Sequence, residues 1–185
     1  AMAVAPIGAD GQPDYSQITI TYAGTNFGDN RDRSTDIQMI GFGQTDKMSY
    51  RDSNGGIKVV ESQAVSALRF AEEIRKQYRN AQITTAGHSL GEALAIYVAL
   101  KNGWDNMGSH GPDIHNMISS EELAYMRAHP EQFKNYRGNY DYIGGITGNA
   151  TVTGIHLDYG FDSYTHNLTY WQFDQFQRII YGNGD

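Results

Sequence analysis

Two periods organise the apolar positions of this chain. From Gln17 to Tyr22, Ile18, Ile20 and Tyr22 alternate with Gln17, Thr19 and Thr21, the two-residue period of a strand with one buried face. Residues 1–16 carry Gly, Pro and Asp clusters without an apolar period and read as a loop-like extension. A polar loop from Asn26 to Thr35 leads to a second strand expected over Asp36 to Phe42. The run Asp52-Ser53-Asn54-Gly55-Gly56 reads as a hairpin tip ahead of a strand at Ile57 to Val60. From Gln63 to Arg79 the period becomes helical: Ala67, Leu68, Ala71, Ile74 and Tyr78 form one stripe, and Glu72 and Lys76 are spaced to pair on the wet side.

The pattern then tightens into a strand at Gln82 to Ala86 and an almost wholly apolar helix at Leu90 to Lys101. This β-α-β-α passage marks an α/β sheet built with crossovers. Beyond it, Gly103 to Asp113 reads as loop and Ser119 to Ala128 as a short helix capped by Ser119 or Ser120. Strands are expected within Phe133 to Tyr142 and at Thr151 to Asp158, and an aromatic-rich helix at Asn167 to Tyr181. Residues 17–185 are expected to form one domain, a length sufficient for a sizeable core.

Between that strand and the apolar helix lies Gly87-His88-Ser89-Leu90-Gly91, which reads as a nucleophile elbow. The chain must reverse within the serine's turn, and glycines two residues either side allow helix and strand to approach closely. Ser89 then stands at a helix N-terminus, where backbone N–H groups favour developing negative charge. A serine hydroxyl needs a base within hydrogen-bond reach and an acid to orient that base. In elbow proteins the order is serine, acid, histidine, which restricts the six histidines to His156 and His166. His156 falls inside an alternating strand, whereas His166 sits in a polar segment of the kind that presents catalytic groups over the carboxyl edge of a sheet. His88 is expected to point away from the site of its neighbour. His110 and His115 flank Asp113, and this cluster reads as solvated loop residues rather than metal ligands.

Composition narrows the partners. Fourteen basic against twenty-one acidic residues give a net charge of −7, which offers no basic face for nucleic acid or anionic membranes. The absence of cysteine removes disulfides, thiolate chemistry and cysteine-bound metal. No apolar run approaches the ~20 residues needed to span a bilayer, so stable membrane insertion is not expected. The amino terminus shows neither a basic nor an apolar leader region, which leaves room for a signal peptide or flanking domains in a longer parent protein. Abundant Gly and Tyr with little Lys lean toward a secreted protein.

These residues together resemble the class 3 lipase family of α/β-hydrolases, and the similarity covers most of the chain from Ile18 onward. Tyr22-Ala23-Gly24-Thr25 is similar to the family's oxyanion strand, usually Phe-Arg-Gly-Thr or Phe-Arg-Gly-Ser, and Asp36-Ile37 resembles the Asp-Leu that follows it. Gly87 to Gly91 with Ala93 to Ala95 resembles the elbow, Asn139 to Ile143 the segment bearing the triad aspartate, and His166 with Tyr170 the terminal His and Tyr pair. The resemblance implies an α/β-hydrolase-like fold, with a central, mostly parallel sheet flanked by helices. It implies Ser89 as nucleophile, His166 as general base and acid, and Asp141 as the orienting carboxylate. It further implies the backbone N–H groups of Leu90 and Thr25 as oxyanion donors; Asp36 reads either as a brace for Thr25 or as a solvated strand start. Asp158 and Asp162 are rival acids, but they lie close before His166. The implied activity is hydrolysis of lipid or small esters, of the lipase or phospholipase A1 type, through an acyl-enzyme and without a cofactor or metal.

Three departures qualify the match. Ala23 stands where the family has arginine; a strand between the elbow helix and Asp141 is not evident; and the loop Asn26 to Ser34, the place of the family's apolar lid, is charged. An open or polar-gated site is therefore expected, with Met48 and Tyr50 in the next loop as a substitute cover. Gly-His-Ser-Leu-Gly-Glu also resembles the nucleophile segment of acyl and malonyl transacylases, which directs attention to Glu92. The chain lacks their glutamine-bearing loop, and no arginine lies between Ser89 and Arg127. A third reading is a hydrolase-fold module of a secreted effector that acts mainly in binding. Asp52 to Gly55 opens like a calcium loop, but Gln63 stands at the twelfth position, where glutamate is required.

Overall fold

The computed structural model describes residues 1–24, 37–138, 141–157, 166–168, 172–173, 175 and 179–180. Six strands form the central sheet: β1 (Met2–Val4), β2 (Gln17–Tyr22), β5 (Gln82–Gly87), β6 (Asp105–Ser109), β7 (Phe133–Gly138) and β8 (Gly154–Leu157), in that spatial order. All neighbours pair in parallel except β1, which runs antiparallel along β2. The helices α1 (Gln63–Gln77), α2 (Leu90–Asn102), α3 (Ser120–Ala128) and α4 (Tyr142–Gly145) fall between successive parallel strands. This is an α/β fold of the α/β-hydrolase-like kind, with a central, mostly parallel sheet flanked by helices.

The core lies between the sheet and helices α1 and α2. Ile18, Ile20 and Tyr22 of β2 and Ile83 and Thr85 of β5 are buried, and the alternate residues of both strands are more exposed. Helix α2 packs against β2, β5 and β6 and meets α1, and nine consecutive residues from Gly91 to Ala99 are buried. A helix buried on all sides needs no amphipathic stripe, which explains its uniformly apolar sequence. Helix α1 buries Ala64, Ala67, Ala71 and Ile74, is capped by Ser62, and carries the Glu72–Lys76 pair at 2.7 Å. Ser119 and Glu122 form a capping box at the start of α3. The hairpin of β3 (Lys47–Arg51) and β4 (Ile57–Glu61) turns where Asp52 Oδ1 accepts hydrogen bonds from the N–H groups of Asn54 and Gly56.

Five local expectations are corrected. The N-terminal extension is not wholly loop, because Met2–Val4 adds an edge strand to the sheet. The strand expected over Asp36 to Phe42 is instead a π-helical turn at Ile37–Gly41; Met39 and Ile40 are buried side by side, which an alternating strand cannot do. Gly103 to Asp113 is not all loop, since Asp105–Ser109 forms β6, the strand missing from the sequence pattern. Met48 is not a surface cover: it is a buried residue of β3. The helix expected at Asn167 to Tyr181 is replaced, in its described residues, by the antiparallel pair β9 (Gln172–Phe173) and β10 (Ile179–Ile180). Aromatic and β-branched residues there suit a pleated surface better than a helix.

Candidate active site

The turn from β5 into α2 is as sharp as the glycine spacing requires. A Cβ on Gly87 would stand 2.5 Å from the Gly91 carbonyl, and one on Gly91 would collide with the carbonyl oxygen of Tyr22. Between them Ser89 adopts φ 59° and ψ −134°, a left-handed conformation that disfavours any residue with a side chain. The surrounding bonds enforce it. Ser89 N–H donates to Ser109 O at 3.0 Å, Gly91 N–H to His88 O and Glu92 N–H to Ser89 O. Leu90 N–H is the first amide of α2, directly beside the serine. Gly24, at the end of the β2 segment, approaches the same turn: a Cβ there would lie 3.4 Å from Ser89 Cβ.

Three side chains far apart in sequence meet at this turn. Ser89 Oγ lies 3.1 Å from His166 Nε2, and His166 Nδ1 lies 2.9 Å from Asp141 Oδ1. Asp141 caps the short helix α4, where the same Oδ1 accepts the N–H of Ile143 at 3.0 Å. Its side chain is only 1 % exposed, against 27 % for that of His166. Burial by itself would raise the Asp141 carboxyl, but the hydrogen bond from His166 and the neighbouring imidazoles hold it below the ordinary carboxylate range. The carboxylate therefore stays ionised, and its hydrogen bond keeps the His166 proton on Nδ1 and leaves Nε2 free to accept from the serine hydroxyl.

Of the sequence-predicted residues, Ser89, Leu90, Asp141 and His166 are thus brought together. Thr25 and Asp36 lie outside the described residues, as do the rival acids Asp158 and Asp162, Tyr170 and the loop Asn26 to Ser34. His156 is exposed on β8, in register with Arg137. The expectation for His88 is overturned. Its Nε2 donates to His166 O at 2.6 Å and its ring stands 4.8 Å from the His166 ring, so the elbow holds the backbone of the very residue that faces the serine. Desolvation lowers the His88 pKa and keeps the ring neutral.

Sequence reasoning also missed the roles of His110 and Glu92. His110 is fully buried against the triad, its Nε2 3.8 Å from Asp141 Oδ2; His115 turns away and bonds Asp113 Oδ1 at 2.9 Å. Among the described residues no group of three or more His, Cys, Asp or Glu side chains is arranged to hold a metal ion. Recognising β6 would have revealed His110, because a residue just past a strand beside β5 stands at the carboxyl edge of the sheet. Glu92 is fully buried and receives a hydrogen bond from Asn106 Nδ2 at 3.4 Å. It braces α2 against β6 and is not open to a substrate. A cavity of about 340 Å³ includes Gly24, which packs against the elbow, and is lined by Tyr22, Phe70 and Leu94 together with the polar Gln63 and Ser66.

A parallel sheet that delivers a strained serine to a strand-to-helix turn defines an α/β-hydrolase-like protein. A family model described as Mbeg1-like matches residues 31–180, and the chain belongs to that family. No curated protein matches it.

Proposed function

We propose that this protein is a serine ester hydrolase acting on lipid esters, of the lipase or phospholipase A1 type. The carrying observation is the continuous path Ser89 Oγ, His166 Nε2, His166 Nδ1, Asp141 Oδ1, with links of 3.1 and 2.9 Å. His166 takes the hydroxyl proton as Ser89 Oγ attacks the ester carbonyl carbon. Asp141, already ionised, stabilises the imidazolium that results. The oxyanion forms beside Leu90 N–H at the positive end of α2, and one such donor is typically worth ~3 kcal/mol in the transition state. The tetrahedral intermediate collapses as His166 returns the proton to the leaving alcohol. Water, activated by the same imidazole, then hydrolyses the acyl-enzyme.

Two further observations favour an ester with an apolar acyl group. The cavity at Gly24 places Tyr22, Phe70 and Leu94 beside the residue that packs against the serine's turn, which offers an acyl chain apolar contact. Tyr142, next to Asp141, and Leu168, two residues past His166, expose 81 % and 40 % of their surface.

A hydrolysis panel of short-chain esters and phospholipid vesicles, with Ser89→Ala as the blank, tests this reading. His166→Ala is expected to lower turnover by roughly 10⁴ or more, and Asp141→Asn by roughly 10⁴. His156→Ala should retain most activity. Turnover by Ser89→Ala equal to wild type would rule the reading out.

A further inference from the structure

Asp141 presents two oxygens, and the triad uses one. Oδ1 receives His166 Nδ1–H and Ile143 N–H, while no described residue donates a hydrogen bond to the buried Oδ2. The His110 ring stands against that oxygen. Its Nε2 is 3.8 Å from Oδ2, and the ring meets those of His166 and His88 edge-on at 5.5 and 5.7 Å. His110 cannot serve as the missing donor, because its Nε2 is the atom that accepts Gly138 N–H at 3.3 Å. With Nε2 accepting, the neutral ring keeps its one proton on Nδ1, and what it presents to Oδ2 is bulk. It occupies the space from which water would otherwise hydrate the carboxylate.

The backbone supports a dedicated placement. His110 sits at φ 56°, left-handed and costly for a residue with a Cβ, and its N–H is fixed to Tyr136 O at 2.8 Å. The preceding residue, Ser109, holds Ser89 N–H through its carbonyl. Two consecutive residues, Ser109 and the strained His110, thus fix both the nucleophile's backbone and the wall behind the acid. The charged and titratable groups around it are His88, His166, Asp141 and Arg137. The last of these bonds Gly148 O through Nη1 and makes no ion pair with Asp141 within 4 Å.

Resting on the serine hydrolase reading above, we infer that His110 is a positioning residue that keeps the Asp141 carboxylate dry, so that its charge is spent on His166. A carboxylate stripped of water attracts the adjacent imidazolium more strongly than a hydrated one. Burial lowers the His110 pKa to about 4, so the ring stays neutral and does not compete with His166 for the acid.

The test compares wild type, His110→Gly and the exposed-site control His156→Ala in ester hydrolysis across pH, with melting temperatures measured alongside. Gly relieves the left-handed backbone and opens a hole the size of an imidazole. His110→Gly is expected to move the low-pH limb of kcat/KM to lower pH by about one unit and to lower kcat roughly tenfold, with KM little changed. Added free imidazole should refill the hole and restore both. A merely structural role predicts a changed melting temperature with the limb unmoved, and that result overturns the inference. Should His110→Gly prove too unstable to assay, His110→Asn, which tolerates left-handed backbone, must show the same shift of the limb. If wild type shows no Ser89-dependent hydrolysis, the parent reading falls and this inference with it. Hydrolysis that depends on Ser89 but is indifferent to both His110 variants overturns the inference alone.

Discussion

Backbone strain and the proposed chemistry coincide at Ser89. At φ 59° and ψ −134° it occupies a conformation held only because Ser109 O, the packing of Gly87 and Gly91 and the start of α2 all require it. Such positions store on the order of 1–3 kcal/mol. Two variants separate the strain from the hydroxyl, since both abolish the latter and only glycine relaxes the backbone. Ser89→Gly is expected to melt a few degrees above Ser89→Ala, in line with ~2–4 °C per kcal/mol for a domain of this size. A thermal scan in which the glycine variant melts at or below the alanine variant would show that the turn is unstrained. The glycine spacing around Ser89 is also what made the elbow legible in the sequence, because collisions at 87 and 91 leave little else that fits.

At the scale of elements, legibility followed burial pattern. Strand β2, helix α1, strand β5 and helix α2 were readable because their buried faces are apolar at the period of their secondary structure. Strand β6 was not, because it buries Asn106 and Ser109 and exposes Met107. Its polar interior faces α2: Asn106 donates to Glu92, and a Cβ on Gly108 would meet both the Glu92 carboxyl and, at 2.6 Å, the backbone carbonyl of Gly87. Apolar alternation misses a strand whose inward groups face a buried acid. That acid carries a pH signature. Burial raises the Glu92 carboxyl well above its ordinary 4.5, so above pH 4.5 the unfolded chain gives up this proton while the folded protein retains it. The unfolded state then binds fewer protons, and stability falls as pH rises from about 4.5 until the folded carboxyl ionises too. Glu92→Gln removes that linkage. The melting temperature of the variant relative to wild type should rise between pH 4.5 and pH 8, whereas a difference that stays constant across this range would mean that the carboxyl is not held neutral.

For the whole molecule, the order of strands explains how a short chain assembles a site. Because β5, β6, β7 and β8 lie side by side and run parallel, the segments after β5, β6 and β7 emerge along one edge of the sheet. Ser89, His110 and Asp141 each follow directly on one of these strands. The serine and the order of its partners could be read from sequence, and the Asp141 assignment rested on family resemblance. The third imidazole needed the topology, because a histidine 21 residues after the serine has no local mark of its place beside Asp141 and His166. The central proposal is that His166, oriented by Asp141, makes Ser89 a nucleophile, and intact-protein mass spectrometry after incubation with a fluorophosphonate tests it most directly. Wild type is expected to gain one phosphonyl adduct located on the peptide containing Ser89, and Ser89→Ala to gain none. An unmodified wild type, or equal labelling of both proteins, would contradict the account.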